Sequence, residues 1–184
     1  MECSNIICLA WIVLENKEDG TCAIGFIQET LATPVVRVMA HSDKQGQKKA
    51  TTPYGVILKP IDEHGLFSAV HIALFKSKHG LSPASKVVQG NKLMLGEGYA
   101  YDLIQHHLYK KNSAIALTKK ERLLIGLLLD HLNTVVPYAK IMHVVWEGKP
   151  AAPETLRSLV RRLRQKLGHE VVQTVASLGH KISV

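Results

Sequence analysis

The run Glu154–Leu167 confines the fold of this chain more tightly than any other stretch. Leu156, Leu159, Val160, Leu163 and Leu167 recur at helical spacing and form one apolar stripe, so the segment reads as an amphipathic helix laid on a small core. Arg157, Arg161 and Arg164 fall on the flank of that stripe, with Ser158, Arg162 and Gln165 over the rest of the outward surface. A face this rich in guanidinium matches the groove of a polyanion such as DNA. The plainer reading is a solvated surface helix. Against it stand the residues that follow, Val171–Val184, which read as a two-strand hairpin, and the ordered elements upstream.

Charge is distributed to match. The chain has 184 residues and a net charge of +8, but residues 1–76 hold 7 Lys+Arg against 8 Asp+Glu, while residues 77–184 hold the other 16 against 7. Basicity concentrated in one part points to a polyanion partner for that part alone. An apolar fraction of 46% is ordinary for a packed globular chain and excludes general disorder. The three cysteines, Cys3, Cys8 and Cys22, form neither an even disulfide set nor a metal-ligand pattern. Cys8 sits in the apolar run Ile6–Leu14, where a reduced core thiol is expected. That run is too short to span a bilayer, and Glu2 gives no basic leader, so a cytoplasmic protein without a membrane segment is expected.

Along the chain, residues 5–14 read as a buried strand closed by a polar turn at 15–20, and residues 21–31 as a short helix. Val35–Ala40 and Tyr54–Leu58 read as further strands, with a polar helical stretch between them. Asp62–Lys76 reads as a helix turning Leu66, Phe67, Val70, Ala73 and Leu74 inward. Strands alternating with helices imply a parallel sheet in an α/β layer over residues 1–76. Gly80, Pro83, Gly90 and several serines mark residues 77–91 as a linker. Residues 92–184 then open with four short strands near 93–95, 99–102, 107–110 and 114–117, expected to pair antiparallel. Thr118-Lys-Lys-Glu121 is a capping box and starts a helix through Leu132. Pro137 suits the first turn of the next helix, which runs to about Trp146.

Leu117-Thr-Lys-Lys-Glu121, Val145-Trp146, Leu163-Arg-Gln-Lys-Leu167 and Thr174-Val followed by Gly179-His180 stand in one order. In that order residues 92–184 resemble the winged-helix effector domain of OmpR/PhoB-type response regulators. The resemblance implies an α+β winged helix-turn-helix whose recognition helix, about Pro153–Leu167, enters the major groove. Thr155, Arg157, Ser158 and Arg162 take positions from which the family reaches bases, and Arg161, Arg164 and Lys149 positions suited to phosphates. The wing, with Lys181, would meet the adjacent minor groove, and the 147–153 segment matches the loop through which the family meets RNA polymerase. Two departures stand out: Ala176-Ser177 and His180 replace an Arg-Gly pair and a tyrosine in the wing, and Glu154 replaces an arginine.

Residues 1–76 resemble the second half of a receiver domain, through Asp19-Gly20, Pro34-Val-Val36, Tyr54–Pro60 and Ile61–Leu66. The implied fold is a flavodoxin-like remnant lacking its first two strands and helices. The resemblance puts Trp11 at the phospho-acceptor position and Met39 (or, with a small register change, the neighbourhood of His41-Ser42) at the switch position, and leaves Lys59 as the surviving active-site residue. A receiver needs a carboxylate to take the phosphoryl group and a metal to neutralise its charge. This stretch supplies neither, since Asp19 and Asp43 are loop residues in the alignment. Homodimerisation is expected through the receiver-like part, both by the retained face at 44–76 and by an apolar edge at 5–14.

No phosphate-binding loop, dinucleotide fingerprint or nucleophile elbow is present, and the ten histidines form no zinc pattern, so neither an enzyme nor a metal or other cofactor is indicated. Two functions of different class stay open at this point. One is a sequence-specific DNA-binding transcription regulator that acts without aspartate phosphorylation. The other is a protein-interaction adaptor that has lost operator reading.

Overall fold

The computed structural model describes residues 24–28, 30, 33–39 and 53–184, in two compact units, Met1–Ser85 and Lys86–Val184. The expectations for the strand at 5–14, the polar stretch 41–52, Trp11, Asp19, Asp43 and the three cysteines lie outside the described residues.

In the first unit residues 24–28 are helical (α1), with Ile24 and Ile27 buried. β1 (Val36–Met39) and β2 (Gly55–Leu58) pair parallel, Val36 opposite Gly55 and Met39 opposite Leu58. α2 (Glu63–Lys78) starts where Asp62 accepts a hydrogen bond from Gly65 N, which satisfies one of the free N–H groups of its first turn. Its buried side chains are Ala69, Ala73, Phe75 and Lys76. This corrects the expected inward face: Leu66 is 36% and Phe67 59% exposed. Apolar residues occupy α2 nearly all round, so periodicity alone could not single out which side packs on β1 and β2. Lys76 donates to Pro83 O at 2.9 Å, and burial lowers its pKa.

The stretch 77–91 is less of a linker than its composition implies. It begins with the end of α2 and closes in β3 (Val88–Gln89), which belongs to the second unit. β3, β4 (Lys92–Gly96), β5 (Tyr99–Asp102), β6 (Leu108–Lys110) and β7 (Ser113–Ile115) form a five-stranded antiparallel sheet in that order, one strand more than the sequence indicated. Leu93, Tyr101 and Leu108 sit side by side in register and are buried, which gives the sheet its core face.

α3 (Lys119–Leu129) opens with the capping box in full: Thr118 Oγ1 accepts from Glu121 N, and Glu121 Oε2 accepts from Thr118 N at 2.8 Å. α4 (Tyr138–Val145) has Pro137 as its N-cap residue, one position earlier than expected, because Pro137 also ends the short strand β8 (Val136–Pro137). α5 (Pro153–Leu167) places proline at its first turn and stops at Gly168, whose φ of 82° suits only glycine without strain. β9 (Val172–Val175) and β10 (Gly179–Ile182) form the hairpin, and β10 also pairs with β8, giving the order β8-β10-β9. A Cβ added to Gly179 would lie 1.9 Å from Val136 O, so the β8–β10 approach requires glycine there. The core between α3, α4, α5 and β10 is apolar, with Leu124, Ile125, Leu128, Ile141, Leu163, Leu167 and Ile182 all fully buried.

Candidate nucleic-acid interface

All five residues of the α5 apolar stripe are buried, and Thr155, Arg157, Ser158, Arg161 and Arg162 are exposed. Burial of one stripe therefore forces the polar row outward. Glu154 in the first turn complements the helix dipole and lies 3.8 Å from Arg157, an exposed pair that contributes little to stability. Arg161 and Arg162 make no ion pair with any described residue. Lys149 is exposed in the segment that leads from α4 into α5.

Beside this row lies a cavity of about 310 Å³ that sequence reasoning did not foresee. It is lined by Glu154, Thr155, Ser158, Leu159 and Arg162 of α5, by Lys120 of α3 and by Trp146 at the end of α4. The Lys120 ammonium stands 4.9 Å from the Trp146 ring centroid. The hydroxyls, guanidinium and ammonium there can receive a phosphate oxygen on the side away from the Glu154 carboxylate, which would repel it. Trp146 was visible in the sequence only as a motif residue. Lys120 carried no signal of its own, since the closeness of α3 to α5 is a tertiary fact.

Arg164 behaves differently from the expectation of a phosphate contact. Its Nε donates to Val172 O at 2.9 Å and its Nη2 to Thr174 Oγ1 at 2.6 Å, so the guanidinium holds α5 to β9. Thr174 Oγ1 also lies 3.1 Å from His180 Nδ1. Having accepted from Arg164, the threonine hydroxyl can donate its own hydrogen to an unprotonated Nδ1. His180 is buried and its ring meets Tyr138 edge-on, with centroids 5.3 Å apart. Burial, then the Arg164 charge, lower its pKa and keep the ring neutral. Lys181 is half-buried on β10, opposite Gln173. At the hairpin tip Ala176, Ser177 and Leu178 are exposed, Leu178 by 59%, and none carries charge.

Deeper in the unit, Lys166 Nζ donates to Ala116 O at 2.8 Å and to the buried Glu121 carboxylate, fixing the end of α5 against the start of α3. In the first unit, Lys59 N donates to Met39 O at 2.8 Å, which brings the expected switch and lysine positions to neighbouring strand ends. Met39 is buried and Lys59 exposed. Among the described residues no three His, Cys, Asp or Glu side chains gather as a metal site, and no helix is long and apolar enough to cross a membrane.

Residues 112–182 match the family described as Transcriptional regulatory protein, C terminal. The transcriptional regulatory protein CseB of Streptomyces avermitilis is 25% identical over 175 residues, covering 89% of this chain and 73% of that protein. The transcriptional activator protein IrlR of Burkholderia pseudomallei is 24% identical over 181 residues, covering 94% and 74%. Among solved structures, the response regulator DrrB, a Thermotoga maritima OmpR/PhoB homolog, aligns with a TM-score of 0.52 at 17% identity, over 94% of this chain and 76% of that one.

Proposed function

We propose that this chain, whose residues 112–182 match the family described as Transcriptional regulatory protein, C terminal, is a sequence-specific DNA-binding transcription regulator of the OmpR/PhoB response-regulator type that works without aspartate phosphorylation. The observation that carries this reading is the outward row of α5. Thr155, Arg157, Ser158, Arg161 and Arg162 are exposed on a helix whose opposite stripe is fully packed. In the major groove Arg162 and Ser158 would meet base edges, while Arg161, Lys149 and the Lys120–Trp146 cavity would meet phosphates. The protein is a binder rather than an enzyme.

Phosphorylation independence rests on the receiver resemblance, which puts Trp11 at the acceptor position and Met39 at the switch position and keeps only Lys59. Homodimerisation through the first unit is supported by exposed apolar side chains on two packed elements, Val56 of β2 and Leu66 and Phe67 of α2. Residues 147–153, exposed for the most part, would offer a surface to RNA polymerase, and the setting of all these contacts would be the cytoplasm.

The test is a salt series of binding to genomic fragments, read by fluorescence anisotropy. A regulator gives a preferred fragment and a steep fall of log K with log salt, about −0.9 per phosphate contact. No measurable binding to any fragment at low salt would support the adaptor reading instead, which the uncharged wing tip and Glu154 favour.

A further inference from the structure

A trough of about 520 Å³ runs over α3 in the second unit, with Tyr101 and His106 on one bank and Val144 on the other. No residue of α5 lines it, so the outward arginine row does not account for it. Gly126 lies at its floor, inside the helix, where glycine is disfavoured relative to alanine. A Cβ at that position would meet nothing within 4 Å, so close packing within the domain does not call for glycine. What the missing side chain does is deepen the trough between Leu123 and Leu127.

The trough carries charged and polar groups of both signs, Lys119, Arg122 and Asp130 beside Tyr101 and His106. Tyr101 is buried, with its hydroxyl 3.3 Å from His106 Nδ1, and burial pushes the phenol up to about 12, so it remains a donor at neutral pH. Arg122 is exposed, and no carboxylate of a described residue lies within ion-pair distance of it. Lys119 at the same rim is already paired with Glu147. Asp130, the residue after α3, also lines the trough, and its charge acts on the Tyr101 phenol as that of Arg122 does, so an anion is directed to the Arg122 side. A guanidinium unpaired among the described residues near a buried phenol, an apolar floor and a volume within the usual range for small-molecule sites form one chemical pattern.

We propose that this trough binds a small amphipathic carboxylate, with its head on Arg122 and the Tyr101 hydroxyl and its apolar body over Gly126. A guanidinium and a protonated phenol are strong donors to a carboxylate. The apolar floor selects a flat or unbranched hydrocarbon body over a sugar or nucleotide.

Isothermal titration calorimetry of the full chain tests this, with naphthalene-2-carboxylate as the probe and naphthalene-2-methanol as its uncharged counterpart. Saturable one-to-one binding of the carboxylate is expected, weaker by about tenfold for the alcohol and for Arg122→Gln. Gly126→Leu fills the floor with a better helix former, so it should abolish binding while the thermal midpoint holds or rises. No saturable binding to the native chain overturns the proposal. So does binding that neither substitution changes.

Discussion

Lys166 Nζ lies 2.7 Å from Glu121 Oε2, joining the last turn of α5 to the first turn of α3. Glu121 is only 1% exposed, and its carboxylate also accepts the Thr118 N–H of the capping box. Burial would raise its pKa, but the Lys166 and Thr118 hydrogen bonds outweigh that and hold it below the ordinary 4.5. The arginine helix is therefore tied to the helix that starts the domain's core by a satisfied buried charge.

Removing Lys166 should be costly. With the folded carboxyl depressed, its contribution is fully present above the unfolded value and is lost as pH falls through the folded one. Lys166→Met leaves Glu121 buried without its cation, and a loss of about 2–3 kcal/mol is expected, at the low side for a buried pair because Lys166 is partly exposed. Urea unfolding at neutral pH measures that loss. A pH series should show the variant's acid unfolding shifted to higher pH than that of the native chain.

Arg162 and Arg161 should differ in kind. Arg162→Ala is expected to reduce binding to the preferred fragment by about 1–3 kcal/mol, with less loss on unrelated DNA. Arg161→Ala should weaken all fragments alike and flatten the salt slope by about one. Parallel anisotropy titrations on two fragments distinguish them, and equal behaviour of the two variants would reject the division of roles.

Arg164 is expected to act through the wing. Arg164→Lys keeps the charge but cannot span Val172 O and Thr174 Oγ1 with one planar fork. A stability loss of about 1 kcal/mol follows from the hydrogen bonds forfeited. A pure phosphate contact would leave thermal unfolding unchanged in this variant.

The wing should also be sensitive to acid. His180 has a lowered folded pKa, so the unfolded chain binds a proton first as pH drops. The stability it contributes is present above the ordinary value of 6.5 and is lost as pH falls through the folded value. His180→Phe keeps an aromatic ring against Tyr138 and removes the titration, so its thermal midpoint should vary less between pH 7 and mildly acid conditions than that of the native chain.

A phosphoryl donor should have no effect. Acetyl phosphate, or beryllofluoride with Mg²⁺, is expected to leave DNA affinity and sedimentation behaviour unchanged. Mass spectrometry finding a labile phosphoryl group on an aspartate of the first 76 residues would refute this.

The parts legible in the sequence were those where local chemistry and tertiary packing agree. The five apolar residues of α5 are spaced for one face and are all buried, and the Thr118–Glu121 box closes as written. The buried face of α2 is not legible, because Leu66 and Phe67 belong to a helix apolar on several sides, where spacing does not select a face. β3 has no strand signal of its own, since two residues between a Ser/Pro stretch and Gly90 acquire strand character only by pairing with β4. Of the interface, the outward row could be read from its spacing. The turning of Arg164 to the wing and the meeting of Lys120 with Trp146 depend on contacts between distant segments, which periodicity does not encode.

Gly179 has a consequence for how such a domain would grip a duplex. Because Val136 O occupies the space a side chain would need, β10 is pressed against the strand that leads into α4, and Arg164 holds β9 to α5. If α5 reads DNA as proposed, that helix and the hairpin would act as one stiff caliper with a set opening. A caliper that does not flex leaves the adjustment to the DNA, so operators whose groove width already matches the opening would bind at lower deformation energy, and flexible steps outside the contacted bases would carry part of the specificity.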